Sequence, residues 1–288
     1  PEQSIFTWNS IIAAYAKFGE PNRAIDLYHC MYREHDLNVD TFIVASVLKA
    51  CSISLNLTQG MLVHGQAIEC SFDNDAFIGS ALVDTYAKCG CLRDACFVFY
   101  RSVDRDVVMW NAMLFAYAER GQYEDALQLF VQMSSIPDNT TWVSLLKAFA
   151  SPEALGWGRM VHTMVLESIY IEETLVLNTL VSMYVRCGSL HDAKMLFENL
   201  ANLTVVSWSA MISGYAQNGF TYDALLLFDQ MQDREIEPNE ITYVSVLKAC
   251  SSIYAIDLGM LVHAHMLCSL VEQDLVLGNT LIDMYLSC

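Results

Sequence analysis

Residues 205–239 read VVSWSAMISGYAQNGFTYDALLLFDQMQDREIEPN, and their pattern is helix, turn, helix. Trp208, Met211, Ile212 and Tyr215 recur at spacings of three and four, which predicts one apolar stripe on a first helix. Asn218-Gly219 then ends it, because glycine accepts the left-handed backbone of a tight helix exit. Ala224, Leu225, Leu227, Phe228 and Met231 give a second helix with a stripe of the same period, and Pro238 closes the unit. A unit of 35 residues is too short to build its own core. It needs neighbours of its own kind.

The neighbours are present. VVMWNAMLFAYAERGQYEDALQLFVQM begins at Val107 and IFTWNSIIAAYAKFGEPNRAIDLYHCM at Ile5, so that Trp8, Trp110 and Trp208 mark one place. A second type starts at Thr41, Asn139 and Glu240 and carries VLKAC and GMLVH or close variants. A third starts at Ala76 (AFIGSALVDTYAKCGCLRDACFVF) and Thr174, and begins again at Leu275. The order is a cycle of three types, and Lys49, Lys147 and Lys248 lie 98 and 101 residues apart, one cycle each time. A fixed period of this size means a solenoid. The expected fold is all-α, a right-handed superhelical solenoid of helix-turn-helix repeats in one elongated domain. The expected units are 5–40, 41–75, 76–106, 107–138, 139–173, 174–204, 205–239, 240–274 and a partial one at 275–288. Since the sequence opens at a repeat and stops within one, it is read as a fragment.

Composition fits a stacked helical array. Hydrophobic residues make up 54% of the chain, and the inner helices of such an array are covered on several sides. The longest uncharged run, 199–222, holds Asn202, Ser207, Ser209, Gln217, Asn218 and two glycines, so no membrane span is expected. Ten cysteines invite a metal or disulfide reading. Cys51 and Cys250 share a place where another copy has Phe149, which marks packing. Cys89, Cys91 and Cys96 lack a second pair at zinc spacing, so neither metal nor cofactor is expected. His64, His162 and His263 recur once per cycle, whereas catalytic groups are normally unique. No nucleophile elbow and no phosphate-binding glycine loop occurs. The chain is not expected to be an enzyme.

The recurring strings TWNSIIAAYAKFG, VLKAC, GMLVH, LVDTYAKCG and VVSWSAMISGYAQNG resemble pentatricopeptide repeats along essentially the whole chain. The three-type cycle resembles the plant PLS subclass of that family. The resemblance implies binding of single-stranded RNA, one base per repeat, in a mitochondrion or chloroplast. It also implies a role in organelle transcript maturation, such as specifying C-to-U editing sites, with editing or processing factors as further partners. In the family the fifth and last residues of each unit read the base. Mapped here, Asn9 with Asp40 implies U, Ser80 with Asp106 implies G, and Asn111 with Asp138 implies U again. Asn178 with Thr204 implies a pyrimidine and Ser209 with Asn239 implies A. Asn279 stands alone because its partner would follow the last residue.

The middle-type units carry Ala45, Val143 and Val244 at the reading place and are expected to act as spacers, since an aliphatic side chain makes no hydrogen bond to a base. The implied target is 5′-U-N-G-U-N-Y-A-N-Y-3′. The apolar second residues Phe6, Phe42, Phe77, Val108, Leu175, Val206, Ile241 and Val276 are expected to flank the bases, with Thr140 the exception.

A formal net charge of −18 opposes RNA binding. Its distribution is uneven. Over residues two to fourteen of each unit, Lys17, Lys49, Lys88, Arg120, Lys147, Arg186 and Lys248 stand against Asp84, Glu119 and Asp283, a net of +4 that leaves −22 for the rest. Lys17, Lys88 and Arg186 share one place and are the expected phosphate contacts. The acidic remainder supports a second class of function, a helical scaffold for protein partners.

Overall fold

The structure, a computed structural model, describes residues 5–34, 39–72, 75–170, 173–269 and 275–288. The expected unit end at 274, and residues 35–38, 73–74 and 171–172 just before the ends at 40, 75 and 173, therefore lie outside the described residues. Among the described residues there are seventeen α-helices, one 3-10 turn at Pro152–Ala154 and no strand. The chain divides into two compact units, Pro1–Ala148 and Phe149–Cys288.

The first unit holds α1 (Ile5–Lys17), α2 (Pro21–Glu34), α3 (Thr41–Ile53), α4 (Leu57–Glu69), α5 (Ala76–Lys88), α6 (Leu92–Arg101), α7 (Val107–Ala118), α8 (Tyr123–Gln132) and α9 (Asn139–Ala148). Its odd-numbered helices pack on one another in sequence, α1 on α3, α3 on α5, α5 on α7 and α7 on α9. Each even-numbered helix packs on the odd helices before and after it.

The second unit repeats this scheme. It holds α10 (Leu155–Leu166), α11 (Thr174–Arg186), α12 (Leu190–Glu198), α13 (Val205–Gln217), α14 (Thr221–Asp233), α15 (Glu240–Ser252), α16 (Ile256–Cys268) and α17 (Leu275–Ser287). Here α11, α13, α15 and α17 form the row, with α12, α14 and α16 behind it.

This arrangement explains a difference from the simple stripe. In α13 the buried set is Ser207, Trp208, Ser209, Met211, Ile212 and Gly214, wider than one face. An odd helix has a neighbour on each side as well as a helix behind. In α14 only Thr221, Ala224, Phe228 and Met231 are buried, because an even helix is covered from one side.

The repeated tryptophans join successive units. Phe99 meets Trp110 edge to face at 4.9 Å, and Phe197 meets Trp208 in the same way at 4.9 Å. Each such pair adds roughly 0.5–1.5 kcal/mol beyond its buried area. The repeated histidines also join neighbouring helices. His64, His162 and His263 hydrogen-bond the hydroxyls of Tyr86, Tyr184 and Tyr285 through Nδ1 at 2.7, 2.8 and 2.9 Å. Cys51 and Cys250 are fully buried, as is Phe149. Among the described residues no group of His, Cys, Asp or Glu is placed to hold a metal, and no helix is long and apolar enough to cross a membrane.

Candidate nucleic-acid interface

The residues singled out in the sequence fall where each odd helix meets the start of the next one. A helix start leaves backbone N–H groups without intrahelical partners, and a short polar side chain just before it can accept from them. Asp40 accepts from Ile43 N–H, Asp106 from Met109 N–H, Asp138 from Thr141 N–H and Asn239 from Thr242 N–H. Thr204 holds the start of α13 through a reciprocal box with Ser207. These five last-place residues thus have a structural role at a helix start. The fifth-place residues lie one helical turn into the preceding odd helix.

The two sets meet. Ser80 Oγ donates to Asp106 Oδ1 at 2.9 Å, and Asn111 Nδ2 to Asp138 Oδ1 at 3.0 Å. Asn178 Nδ2 donates to Thr204 Oγ1 at 2.9 Å, and Ser209 Oγ lies 3.0 Å from Asn239 Oδ1. Among the described residues no hydrogen bond joins Asn9 to Asp40. Asn9 is half-exposed and Asn279 exposed, each in a terminal repeat.

The sequence did not lead us to expect how deep these groups sit. Ser80, Asn111, Asn178 and Ser209 are only 3–8% exposed. They present an edge between two helices rather than a free side chain. Asn178 Oδ1 is buried and makes no hydrogen bond among the described residues. At Asp138, burial raises the carboxyl pKa, but hydrogen bonds from Thr141 N–H, Asn111, the Thr141 hydroxyl and Thr140 N–H outweigh it and hold the group below the usual range.

The second-place residues have the opposite character. Phe6, Phe42, Phe77, Val108, Leu175, Val206, Ile241 and Val276 are 50–76% exposed. Thr140 is exposed at the same place. One uncovered apolar side chain per repeat along the row of odd helices in each unit is not how a helix covers its neighbour. Phe42 and Phe77 have ring centroids 6.0 Å apart. In the second unit Ile241 and Val276 line a hollow of about 270 Å3, together with Val244, Lys248, Ser213 and Gln217. A unit with an aliphatic residue at the reading place therefore still has a cavity beside it.

The expected phosphate contacts differ among themselves. Lys17 is exposed. Lys88 Nζ is 2.9 Å from Asp84 Oδ2, which also accepts from Ser52 Oγ at 3.1 Å. Arg186 donates through Nε to Ser182 O at 3.3 Å. At the same place Gln217 donates to Ser213 Oγ.

Two residues outside the sequence reading belong to this site, Thr141 and Thr242. Both are fully buried third residues of middle-type units. Thr141 Oγ1 donates to Asn111 Oδ1 at 2.7 Å, and Thr242 Oγ1 is 2.9 Å from Ser209 Oγ. The clue in the sequence is a hydroxyl at the third place of the unit in two of three copies, where the other has Ile43.

Stacked helical pairs, a buried polar pair between successive repeats and an exposed apolar side chain beside it define a helical-repeat protein with a periodic face. Sequence models described as "PPR repeat family" match residues 105–151 and 203–252, and one described as "PPR repeat" matches 6–35 and 176–202. The chain belongs to the pentatricopeptide repeat family.

Among curated relatives, the chloroplastic pentatricopeptide repeat-containing protein At1g11290 of Arabidopsis thaliana is 34% identical over 291 residues, covering 100% of this chain and 36% of that protein. The chloroplastic At1g15510 of the same plant is 31% identical over 290 residues, covering 100% and 34%. Among solved structures, the pentatricopeptide repeat protein PPR10 in complex with an 18-nt psaJ RNA element superposes with a TM-score of 0.68 at 18% identity, over 97% of this chain and 47% of that one. PPR10 from maize gives 0.71 at 18% identity, over 98% and 46%. The likeness is one of fold, the helical solenoid. The chain spans about a third of the length of these plant relatives and just under half of the solved chains.

Proposed function

We propose that this chain binds single-stranded RNA in a sequence-specific way, one base per repeat, with 5′-U-N-G-U-N-Y-A-N-Y-3′ as its target. The observation that carries the reading is the polar pair at the junction of successive repeats, found four times as a hydrogen-bonded couple beside an exposed apolar residue. The pair supplies donors and acceptors for a base edge. The apolar residues supply the flanks, and stacking on aromatic side chains is worth roughly 1–3 kcal/mol per base; the aliphatic ones give less. That PPR10 was solved with an RNA element supports the same reading. Lys17, Lys88 and Arg186 contact phosphates in this scheme, and the acidic remainder keeps non-specific binding weak.

The three-type cycle supports assignment to the PLS subclass and, with it, a part in specifying C-to-U editing sites alongside editing or processing factors. Two relatives named as chloroplastic support a place in a plant organelle, chloroplast or mitochondrion. The test is selection from a random pool of single-stranded RNA. Recovery of the nine-base pattern supports the proposal, and a pool with no enriched pattern refutes it.

One observation favours a second reading, a scaffold for protein partners. In the second unit Leu225, Phe228, Leu258, Leu261 and Cys268 line an apolar groove of about 380 Å3 along α14 and α16. In that reading the pool selection fails while a protein partner is retained.

A further inference from the structure

We propose that Thr141, and by the same contact Thr242, orients the reading pair of the preceding repeat, so that middle-type repeats are not mere spacers but set the selectivity of their neighbours. The inference rests on the RNA-reading proposal above and names residues outside the fifth and last places.

An asparagine amide has two ends of nearly the same shape and opposite hydrogen-bonding sense. Which end meets a base depends on what holds the other. Asn111 is held at both. Its Nδ2 donates to Asp138 Oδ1 at 3.0 Å, and its Oδ1 accepts from Thr141 Oγ1 at 2.7 Å. Thr141 is held in turn, because its Oγ1 accepts from Asp138 N–H at 3.0 Å; its one proton is shared with Asp138 Oδ1 at 3.0 Å, and the nearer Asn111 Oδ1 takes the larger part. Reversing the amide would set Asn111 Oδ1 against the Asp138 carboxylate, two acceptors facing each other. The orientation is fixed, and the second N–H of Asn111 is the donor left for a base.

The other repeats form a natural series around this one. At Ser209 the third-place hydroxyl is again present, with Thr242 Oγ1 2.9 Å from Ser209 Oγ and 2.9 Å from Asn239 Oδ1. Asn239 Oδ1 also accepts from Thr242 N–H, and among the described residues its NH2 group makes no hydrogen bond. That group is left for the ligand. At Asn178 the third-place hydroxyl is diverted, since Ser207 Oγ bonds the backbone of Thr204, at 2.9 Å to N and 2.8 Å to O. Among the described residues Asn178 then has only Thr204 Oγ1, which donates or accepts equally well, and its own Oδ1 makes no hydrogen bond. Either end of that amide can face the base, so cytosine and uracil are both accepted. At Asn9 the third place is Ile43, fully buried and without a hydroxyl, and Asn9 has no bond to Asp40. Selectivity should therefore be sharp at the fourth base, and blurred at the sixth and first.

The experiment measures binding of the whole chain to four RNAs that differ only at the fourth base of the target. Unsubstituted protein is expected to prefer U by roughly tenfold, Thr141→Ser to keep that preference, and Thr141→Val to reduce it to within about twofold while the seventh base is still read. Ile43→Thr, assayed on four RNAs varied at the first base, should sharpen the preference for U there. The inference is overturned if Thr141→Val weakens all four RNAs by one factor, or if Thr141→Ser flattens the preference as much as Thr141→Val. If Thr141→Val does not fold by circular dichroism, Ile43→Thr decides, and no sharpening overturns the inference. If the unsubstituted protein prefers no base at any position, the RNA-reading proposal itself fails and takes this one with it.

Discussion

Asn111 and Asp138, 27 residues apart, share a hydrogen bond that joins the first helix of one repeat to the helix start of the next. Asp138 thereby has two tasks, capping α9 and holding Asn111, and substitutions separate them. Asp138→Ala removes the cap and should cost about 1 kcal/mol in urea denaturation, whereas Asp138→Asn should change stability by only a few tenths because asparagine caps as well. An asparagine at 138 can turn either end of its amide toward Asn111, so Asn111 is no longer held in one orientation, and binding at the fourth base should lose its preference between C and U. The carboxyl also fixes the sign of an acid response. Its folded pKa lies below the ordinary 3.8, so its contribution is complete above that value and is lost as the pH falls through the folded one. Asp138→Asn should unfold with a smaller acid dependence than the parent below about pH 4.

Lys17 and Lys88 should differ although they share a repeat place. Each lysine that contacts one phosphate should add roughly 0.7 to the slope of log affinity against log salt for single strands. Lys17→Ala is expected to lower the slope by that amount. Lys88 sits 2.9 Å from Asp84, so its charge is already partly answered and Lys88→Ala should lower the slope less. Equal slopes for the parent and Lys17→Ala would mean that Lys17 faces away from the RNA.

Gly214 lies in α13 where a Cβ would come within 2.6 Å of Val185 Cγ1 and 3.0 Å of Val185 Cγ2. A β-branched side chain has little freedom to turn aside. Overpacking of this kind costs about 1–3 kcal/mol, and the better helix propensity of alanine returns about 1 kcal/mol. Gly214→Ala should therefore lower stability, by about 1 kcal/mol in chemical denaturation. A more stable variant would show that α11 and α13 are packed more loosely than described.

Burial pushes the Cys51 thiol up to about 12 and the Cys250 thiol up to about 11. Both side chains are buried, while Cys30, Cys70, Cys268 and Cys288 are exposed. The thiolate is the reactive form. A thiol reagent at pH 8 should label the exposed four quickly and reach Cys51 and Cys250 only when denaturant is added. Fast labelling of Cys51 in the native state would contradict the packing described here.

The helices were legible because their apolar period recurs copy after copy, and Gly219, at φ +80°, marks a turn that only a few residues can make. Four turns carried no such mark. Leu55, Ser71, Glu235 and Tyr254 take left-handed φ values of 52°, 61°, 56° and 56° without being glycine, and only the repeat pattern placed those turns. The depth of Ser80 and Asn111 was not legible, since short polar side chains are mostly exposed and one helix does not reveal what the next one covers. Thr141 was overlooked for a related reason. A threonine at a helix start reads as a local cap, and its contact to Asn111 spans 30 residues. The pairing of Lys88 with Asp84, by contrast, is an i,i+4 spacing visible in the sequence.

The most direct test of one-base-per-repeat reading is Ser209. It is nearly buried and meets Asn239 and Thr242 as Asn111 meets Asp138 and Thr141. An asparagine at that place should therefore find the same partners, and stability should hardly change. Serine leaves room for a purine, whereas asparagine fills that space and favours a pyrimidine. The measurement is affinity for four RNAs that differ only at the seventh base, for the parent and for Ser209→Asn. The expected result is a change of preference from A to a pyrimidine, worth roughly 1–3 kcal/mol and nearer the lower end, with the other positions unaltered. The same order of the four affinities in both proteins would contradict RNA reading by this residue and leave the scaffold reading as the stronger one.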